Sequence, residues 1–257
     1  MYNMIRGTGA GFFSNMRGTL GALSKIKNSP SNDSPCYIDW SNTLYGAWEN
    51  FFHQVDFIPD FTQMKYLHDQ DPLPRDPSTK LILHETYKNN VRVRQDILDK
   101  MQSTMNQLTD NTLAVHIRRT DKLNCTRFGE PESGKPVDLE LYVKHSKEEL
   151  ESHDKIFLAT DDKDVVECFR KEFGKSLIVR DDCVRSRGDV SIHHSRLADS
   201  YKMGSDVLID CLLMSQCRTL IKGISNVALF ALFINKDLRS INLNSIYNGD
   251  TREDFAQ

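Results

Sequence analysis

The stretch Val115-His116-Ile117-Arg118-Arg119-Thr120-Asp121-Lys122 places two adjacent arginines, flanked by a histidine and an aspartate, directly after a short apolar run. Residues 112–117 are β-prone and read as a strand entering a core. Arginine is rarely buried without an anionic partner, yet this pair stands where a strand ends. In open α/β sheets, ligands bind outside the carboxyl ends of the strands. A planar, permanently charged guanidinium matches a phosphate with two parallel hydrogen bonds. The stretch therefore predicts an anionic, diphosphate-bearing ligand.

Side chains alternate across a strand, so Ala114, His116 and Arg118 share one face while Val115, Ile117 and Arg119 share the other. His116 and Arg118 are expected to look into one pocket. Arg119 is expected to be structural, paired with a carboxylate behind the sheet. A strand end with solvated charges is the alternative.

Outward from this strand the pattern is regular. A helix is predicted over 139–152, a strand over 155–160, a helix over 163–173 and a strand over 176–179. A polar loop then runs from Arg180 to Tyr201, followed by a helix over 206–217, a strand over 219–222, a helix over 226–234 and a strand over 240–243. Alternating strands and helices mean a parallel, doubly wound sheet. The first 105 residues are harder to read. They hold a glycine-rich start, a polar loop, an aromatic cluster (Trp40, Tyr45, Trp48, Phe51, Phe52) and a proline-studded stretch over 72–77, with a helix predicted over 90–108.

Several acids stand where chemistry could use them. Asp161-Asp162 follows a strand directly. One is expected to cap the next helix, which leaves the other to face a ligand, such as a ribose. Asp210 lies in the middle of a segment that is apolar nearly all round, so its carboxylate needs a partner. That partner is either Arg118 or Arg119, or a ligand with two adjacent N–H donors such as the N1 and N2 edge of guanine. Asp206, one turn earlier, reads as an N-cap or first-turn acid.

Ser225 and Asn226 precede an apolar helix, and a helix N-terminus with a hydroxyl is a phosphate site in waiting. Val227 stands where a nucleophile elbow requires glycine. Gly7, Gly9 and Gly11 could bring backbone N–H groups to a pyrophosphate. Phe12, however, occupies the last glycine position of a dinucleotide fingerprint. Asp69-Gln70-Asp71 has the D-x-D form of metal-dependent sugar transferases, but no strand is predicted before it. His193-His194 reads as a loop pair, because zinc needs further ligands.

The bulk numbers set limits. A chain of 257 residues has room for two ordinary domains. A net charge of −3 excludes a general nucleic-acid binder. The longest apolar stretch, 224–234, is too short for a membrane span, and no secretory h-region precedes a cleavage site. A soluble, cytoplasmic protein without a membrane span is expected. The six cysteines are scattered without a C-x-x-C pair, so neither a disulfide framework nor a zinc site is expected.

Taken together, these residues resemble a known family. Val115 to Lys122 is similar to the H-x-R-R-x-D signature of α1,6-fucosyltransferases, nodulation fucosyltransferases and, more distantly, protein O-fucosyltransferases. The similarity continues in order through Leu158-Ala159-Thr160-Asp161-Asp162, Asp206 to Ser215, and Ser225-Asn226-Val227. Gly9-Ala10-Gly11-Phe12-Phe13-Ser14 and the cluster from Asp39 to Phe52 also resemble the family. The likeness covers nearly the whole chain.

The resemblance implies an α/β, GT-B-like fold of two Rossmann-like lobes with a reduced amino-terminal lobe. Residues 1–108 would form the acceptor-side lobe and 109–257 the GDP-sugar-binding lobe. It implies an inverting glycosyltransferase moving fucose from GDP-fucose to a hydroxyl of a glycan or glycoconjugate, with no cofactor and no metal. Arg118 would clamp the β-phosphate and offset leaving-group charge. His116 and Asp210 would hold the guanine, Asp161 or Asp162 the ribose, and Ser225 with Asn226 the phosphates. Gly9, Ala10 and Gly11 would approach the pyrophosphate from the other lobe, while Arg119 and Asp121 would give structural support. The α1,6 enzymes carry a candidate glutamate base soon after the Asp-Lys pair. Here Asn124, Cys125, Thr126 and Arg127 occupy that region and Glu130 comes later, so base and acceptor do not carry over. A transferase of another GDP-sugar, or a non-catalytic nucleotide- or glycan-binding module, are the rival readings.

Overall fold

The computed structural model describes residues 2–27, 35–56, 64–67, 77–119, 126–127, 130–131, 136–188, 192 and 199–251. The chain divides into two units, Met1–Asp99 and Lys100–Gln257.

The first unit is built on a three-stranded parallel sheet. Strand β1 (Tyr2–Arg6) lies between β2 (Cys36–Asp39) and β3 (Met64–Leu67). Helix α1 (Phe12–Lys27) connects the first two, with Lys25 and Lys27 in its last turn where cations favour the helix dipole. No amphipathic stripe announces α1, because Asn15, Gly18, Thr19, Gly21 and Ser24 are buried alongside its apolar residues. The aromatic cluster forms the core here. The ring of Phe12 meets Trp40, Tyr45 and Phe51 at centroid distances of 5.1, 5.3 and 5.1 Å, all edge to face. The buried indoles find acceptors: Trp40 Nε1 donates to Thr19 Oγ1 (3.1 Å) and Trp48 Nε1 to the His53 carbonyl (3.0 Å).

The helix predicted over 90–108 is the shorter α3 (Gln95–Met105), and an unpredicted helix, α2 (Pro77–Asn90), ends where that prediction starts. The break falls at Val91-Arg92-Val93-Arg94. These residues pair as a strand with the aromatic loop: Val93 bridges Phe52, His53 N donates to the Arg92 carbonyl and Arg94 N to the Phe51 carbonyl. β-branched valines favour that extended state over a helical one.

The second unit carries a five-stranded parallel sheet in the order β10-β9-β4-β7-β8. Its strands are β4 (Thr112–Ile117), β7 (Lys155–Thr160), β8 (Leu177–Val179), β9 (Thr219–Lys222) and β10 (Arg239–Asn242). A two-stranded ribbon, β5 (Thr126–Arg127) with β6 (Glu130–Pro131), follows β4. Every residue of β4 is buried, as expected of a parallel strand covered on both faces. Leu113, Val115 and Ile117 pack against α4 (Leu139–Leu150) and α5 (Lys163–Phe173) through Tyr142, Val165, Val166 and Phe169.

The remaining helices are α6 (Ser200–Ser215), α7 (Asn226–Ile234) and the short α8 (Leu243–Asn248). No described helix is long and apolar enough to cross a membrane. Helix α6 starts six residues earlier than its sequence suggests: Asp199 is the cap, accepting from Lys202 N at 2.7 Å. Asp206 is therefore neither a cap nor a first-turn acid. Gly204 and Ser205 disguise this first stretch as loop, although both are buried in the helix. Gly223, after β9, has no room for a side chain. A Cβ there would stand 2.6 Å from Tyr142 Oη and 2.8 Å from Asn244 Oδ1.

Candidate functional site

The parallel pairing of β4 with β7 sets His116 beside Ala159 and Ile117 beside Thr160. The next residues, Arg118 and Asp161, therefore meet just past the sheet edge. Arg118 Nε lies 3.2 Å from Asp161 Oδ2, and Asp161 Oδ1 accepts the backbone N–H of Arg119 at 3.0 Å. The alternation read in the strand continues past its end, because Arg119 turns the other way. Its Nε lies 3.6 Å from Asp162 Oδ2, and its charge acts on Tyr142, on the α4 side. Asp162 is the cap of α5, accepting from Asp164 N at 2.8 Å.

A cleft opens on the opposite face of the sheet. Its polar wall comprises His116, Arg118, Asp161, Cys183, Asp206 and Asp210. Met203, Val207 and Val227 contribute its apolar lining. His116 is 5% exposed, and its Nδ1 is enclosed without a hydrogen-bond partner. A buried polar atom left in this state is open to a ligand.

Burial lowers the His116 imidazole to about 3, and the charges of Arg118 and Lys222 push the same way. The ring is neutral at pH 7. An unfolded chain takes up that proton near 6.5, so between the two values the unfolded state binds more protons. Stability then falls as pH drops through that window. Relative to wild type, His116→Gln is expected to gain about 2 kcal/mol between pH 7 and pH 5. Urea titrations at both pH values check this, and an unchanged offset would contradict a neutral, buried ring.

Asp210 pairs with Arg180, and not with Arg118 or Arg119, one of the two alternatives read from the sequence. Arg180 Nη1 donates to Asp210 Oδ1 at 3.0 Å. The same guanidinium donates to the Asp206 carbonyl (3.1 Å), Asp206 Oδ1 (3.2 Å) and Asp182 Oδ2 (3.0 Å). Lys202 Nζ joins at Asp206 Oδ1, and Val184 N donates to Asp206 Oδ2 at 3.0 Å.

By sequence, the chain matches no protein-family model and no curated protein. By structure, it is similar to NodZ α-1,6-fucosyltransferase co-crystallised with GDP. That match has 15% sequence identity and a TM-score of 0.55, covering 90% of this chain and 91% of that one. Fucosyltransferase NodZ from Bradyrhizobium aligns at 15% identity and a TM-score of 0.55, over 95% of this chain and 96% of its own. The chain has the GT-B-like fucosyltransferase fold. A mutant of FUT1 from Arabidopsis thaliana, solved with GDP, shares it at 8% identity and a TM-score of 0.56, over 94% of this chain and 70% of that one.

Within this fold, His116, Arg118, Asp161 and Asp210 come together in one cleft. Asp162 is occupied with capping α5 and with Arg119. Ser225 caps α7, accepting from Val227 N at 3.2 Å, with Asn226 the first residue of the helix; only Val227 of that turn lines the cleft. Gly9, Ala10 and Gly11 form the β1–α1 loop of the first unit. Asn15 shapes that loop by accepting from Thr8 N (2.7 Å) and donating to the carbonyls of Thr8 and Ala10 (3.2 and 2.9 Å). Asp121, Asp69-Gln70-Asp71 and His193-His194 lie outside the described residues. Arg180 is the member of this cluster that sequence reasoning missed. It directly follows β8, the position that Arg118 and Asp161 hold near the ends of β4 and β7, and that placement was the available signal.

Proposed function

We propose that this chain is an inverting, metal-independent glycosyltransferase that moves fucose from GDP-fucose to a hydroxyl of a glycan or glycoconjugate. The observation that carries this reading is the cleft at the carboxyl ends of β4 and β7. There one arginine, one neutral imidazole and three carboxylates surround an apolar slot on a fucosyltransferase fold. Arg118 offsets the charge that develops on the departing diphosphate, a role for which a fixed guanidinium needs no metal. His116 and Asp210 hold the guanine, whose N1–H and N2–H are donors that adenine and uracil do not present together. Asp161 keeps Arg118 in place and borders the ribose. Ser225 and Asn226, at the start of α7 beside Val227, serve the phosphates.

A thermal-shift panel of nucleoside diphosphates and their sugars tests this reading. A ligand at 100 times its dissociation constant adds about 2.7 kcal/mol of stability. GDP and GDP-fucose are expected to stabilise the chain while UDP and ADP leave it unchanged. Release of GDP from GDP-fucose should then rise on addition of a glycan acceptor. No stabilisation by GDP would overturn the proposal. GDP binding without any turnover of GDP-fucose would favour the non-catalytic module.

A further inference from the structure

Arg180 is 3% exposed and does not line the cleft, yet it touches two of the acids that do, Asp206 and Asp210. Those acids are used differently. Asp206 has both oxygens occupied: Oδ1 by Arg180 and Lys202, Oδ2 by Val184 N. Asp210 accepts only through Oδ1, from Arg180 Nη1 at 3.0 Å and weakly from Cys183 Sγ at 3.8 Å. Among the described residues nothing donates to its Oδ2, and the residue borders the cleft.

Resting on the GDP-sugar reading above, we propose that Arg180 is the positioning residue that makes Asp210 selective for guanine. By holding Oδ1, the guanidinium fixes the plane of the carboxylate and leaves Oδ2 to accept from the N1–H and N2–H edge of the base. Arg180 also favours the charged form of that carboxylate. Burial pushes the Asp210 carboxyl up, with Asp206 adding to the rise, and Arg180 is the largest force against it, ahead of Arg185. Without Arg180, Asp210 would be free to turn and would lose the largest of these opposing forces. Its preference for a base presenting two donors would then disappear.

Calorimetric titration of the full chain with GDP and with IDP, whose base lacks the 2-amino group, tests this. A lost hydrogen bond to a charged acceptor corresponds to roughly a tenfold or larger change in affinity. The unaltered chain is thus expected to bind GDP at least about 10-fold more tightly than IDP. Arg180→Met should bring the two affinities within about threefold, mainly by weakening GDP. A merely structural role would weaken both nucleotides by one factor and keep their ratio, which would overturn the inference. If Arg180→Met does not fold, Arg180→Lys decides. It retains a buried cation but not the fork, so a reduced GDP-to-IDP ratio supports the inference and an unchanged ratio overturns it. Failure of the unaltered chain to bind GDP at all would instead overturn the underlying GDP-sugar reading.

Discussion

Arg118→Ala is expected to cut turnover of GDP-fucose by about 10²–10³-fold, the usual cost of removing one preorganised donor aimed at developing negative charge. The side chain is 19% exposed and its carboxylate partner Asp161 keeps the Arg119 N–H. Folding should therefore suffer less than turnover, with a stability loss of about 1–3 kcal/mol. The expected pattern is a lost rate on an intact molecule. Arg118→Lys should recover part of the rate, because it restores the charge without the planar pair of donors. Release of GDP under saturating donor, measured beside a thermal melt, separates the two effects. Near-normal turnover by the alanine variant would remove Arg118 from the catalytic role.

The second large effect concerns stability. Asp206→Ala is expected to cost about 3–5 kcal/mol, because it strips a buried cation of a partner instead of replacing the whole pair. Asp206 holds Arg180, Lys202 and the Val184 N–H at once, and its side chain is 11% exposed. In a unit of this size the loss corresponds to a fall in Tm of roughly 10 °C. Asp210→Asn should cost less, because the amide oxygen can still accept from Arg180, while GDP binding should suffer more. A thermal melt and a GDP titration of each variant make the comparison. Equal stability losses in the two would show that Asp206 is not the structural member of the pair.

The legible parts of the chain are the short apolar runs and the one strongly amphipathic helix. Strands β4, β7 and β9 and helices α5 and α7 run over the residues that their patterns indicate. The strands and α7 are buried along nearly their whole length, while α5 turns one apolar face inward. Helix α1 hides because packing around most of its circumference buries glycine and hydroxyl side chains together with apolar ones. The start of α6 hides behind Gly204 and Ser205 for a related reason. Within the site, His116 and Arg118 were legible because strand alternation is local. The fact that Asp210 needed a partner was also legible. The identity of that partner was not, because Arg180 lies 30 residues away at the head of a segment that reads as polar loop. Ion pairs across a fold leave no periodic trace.

The strand order described for the second unit has a consequence for every variant named above. The chain leaves β4 towards β7 and β8, then crosses back and continues outward through β9 and β10 on the other side. Strand β4 thus borders a topological switch point, where successive connections diverge and a crevice opens between them. That opening is a property of how the backbone is wound and depends on no single side chain. Substituting Arg118, Asp210 or Arg180 removes affinity or turnover without closing the crevice. The winding also allows one scaffold to be refitted for another ligand by changing only the few residues at its rim.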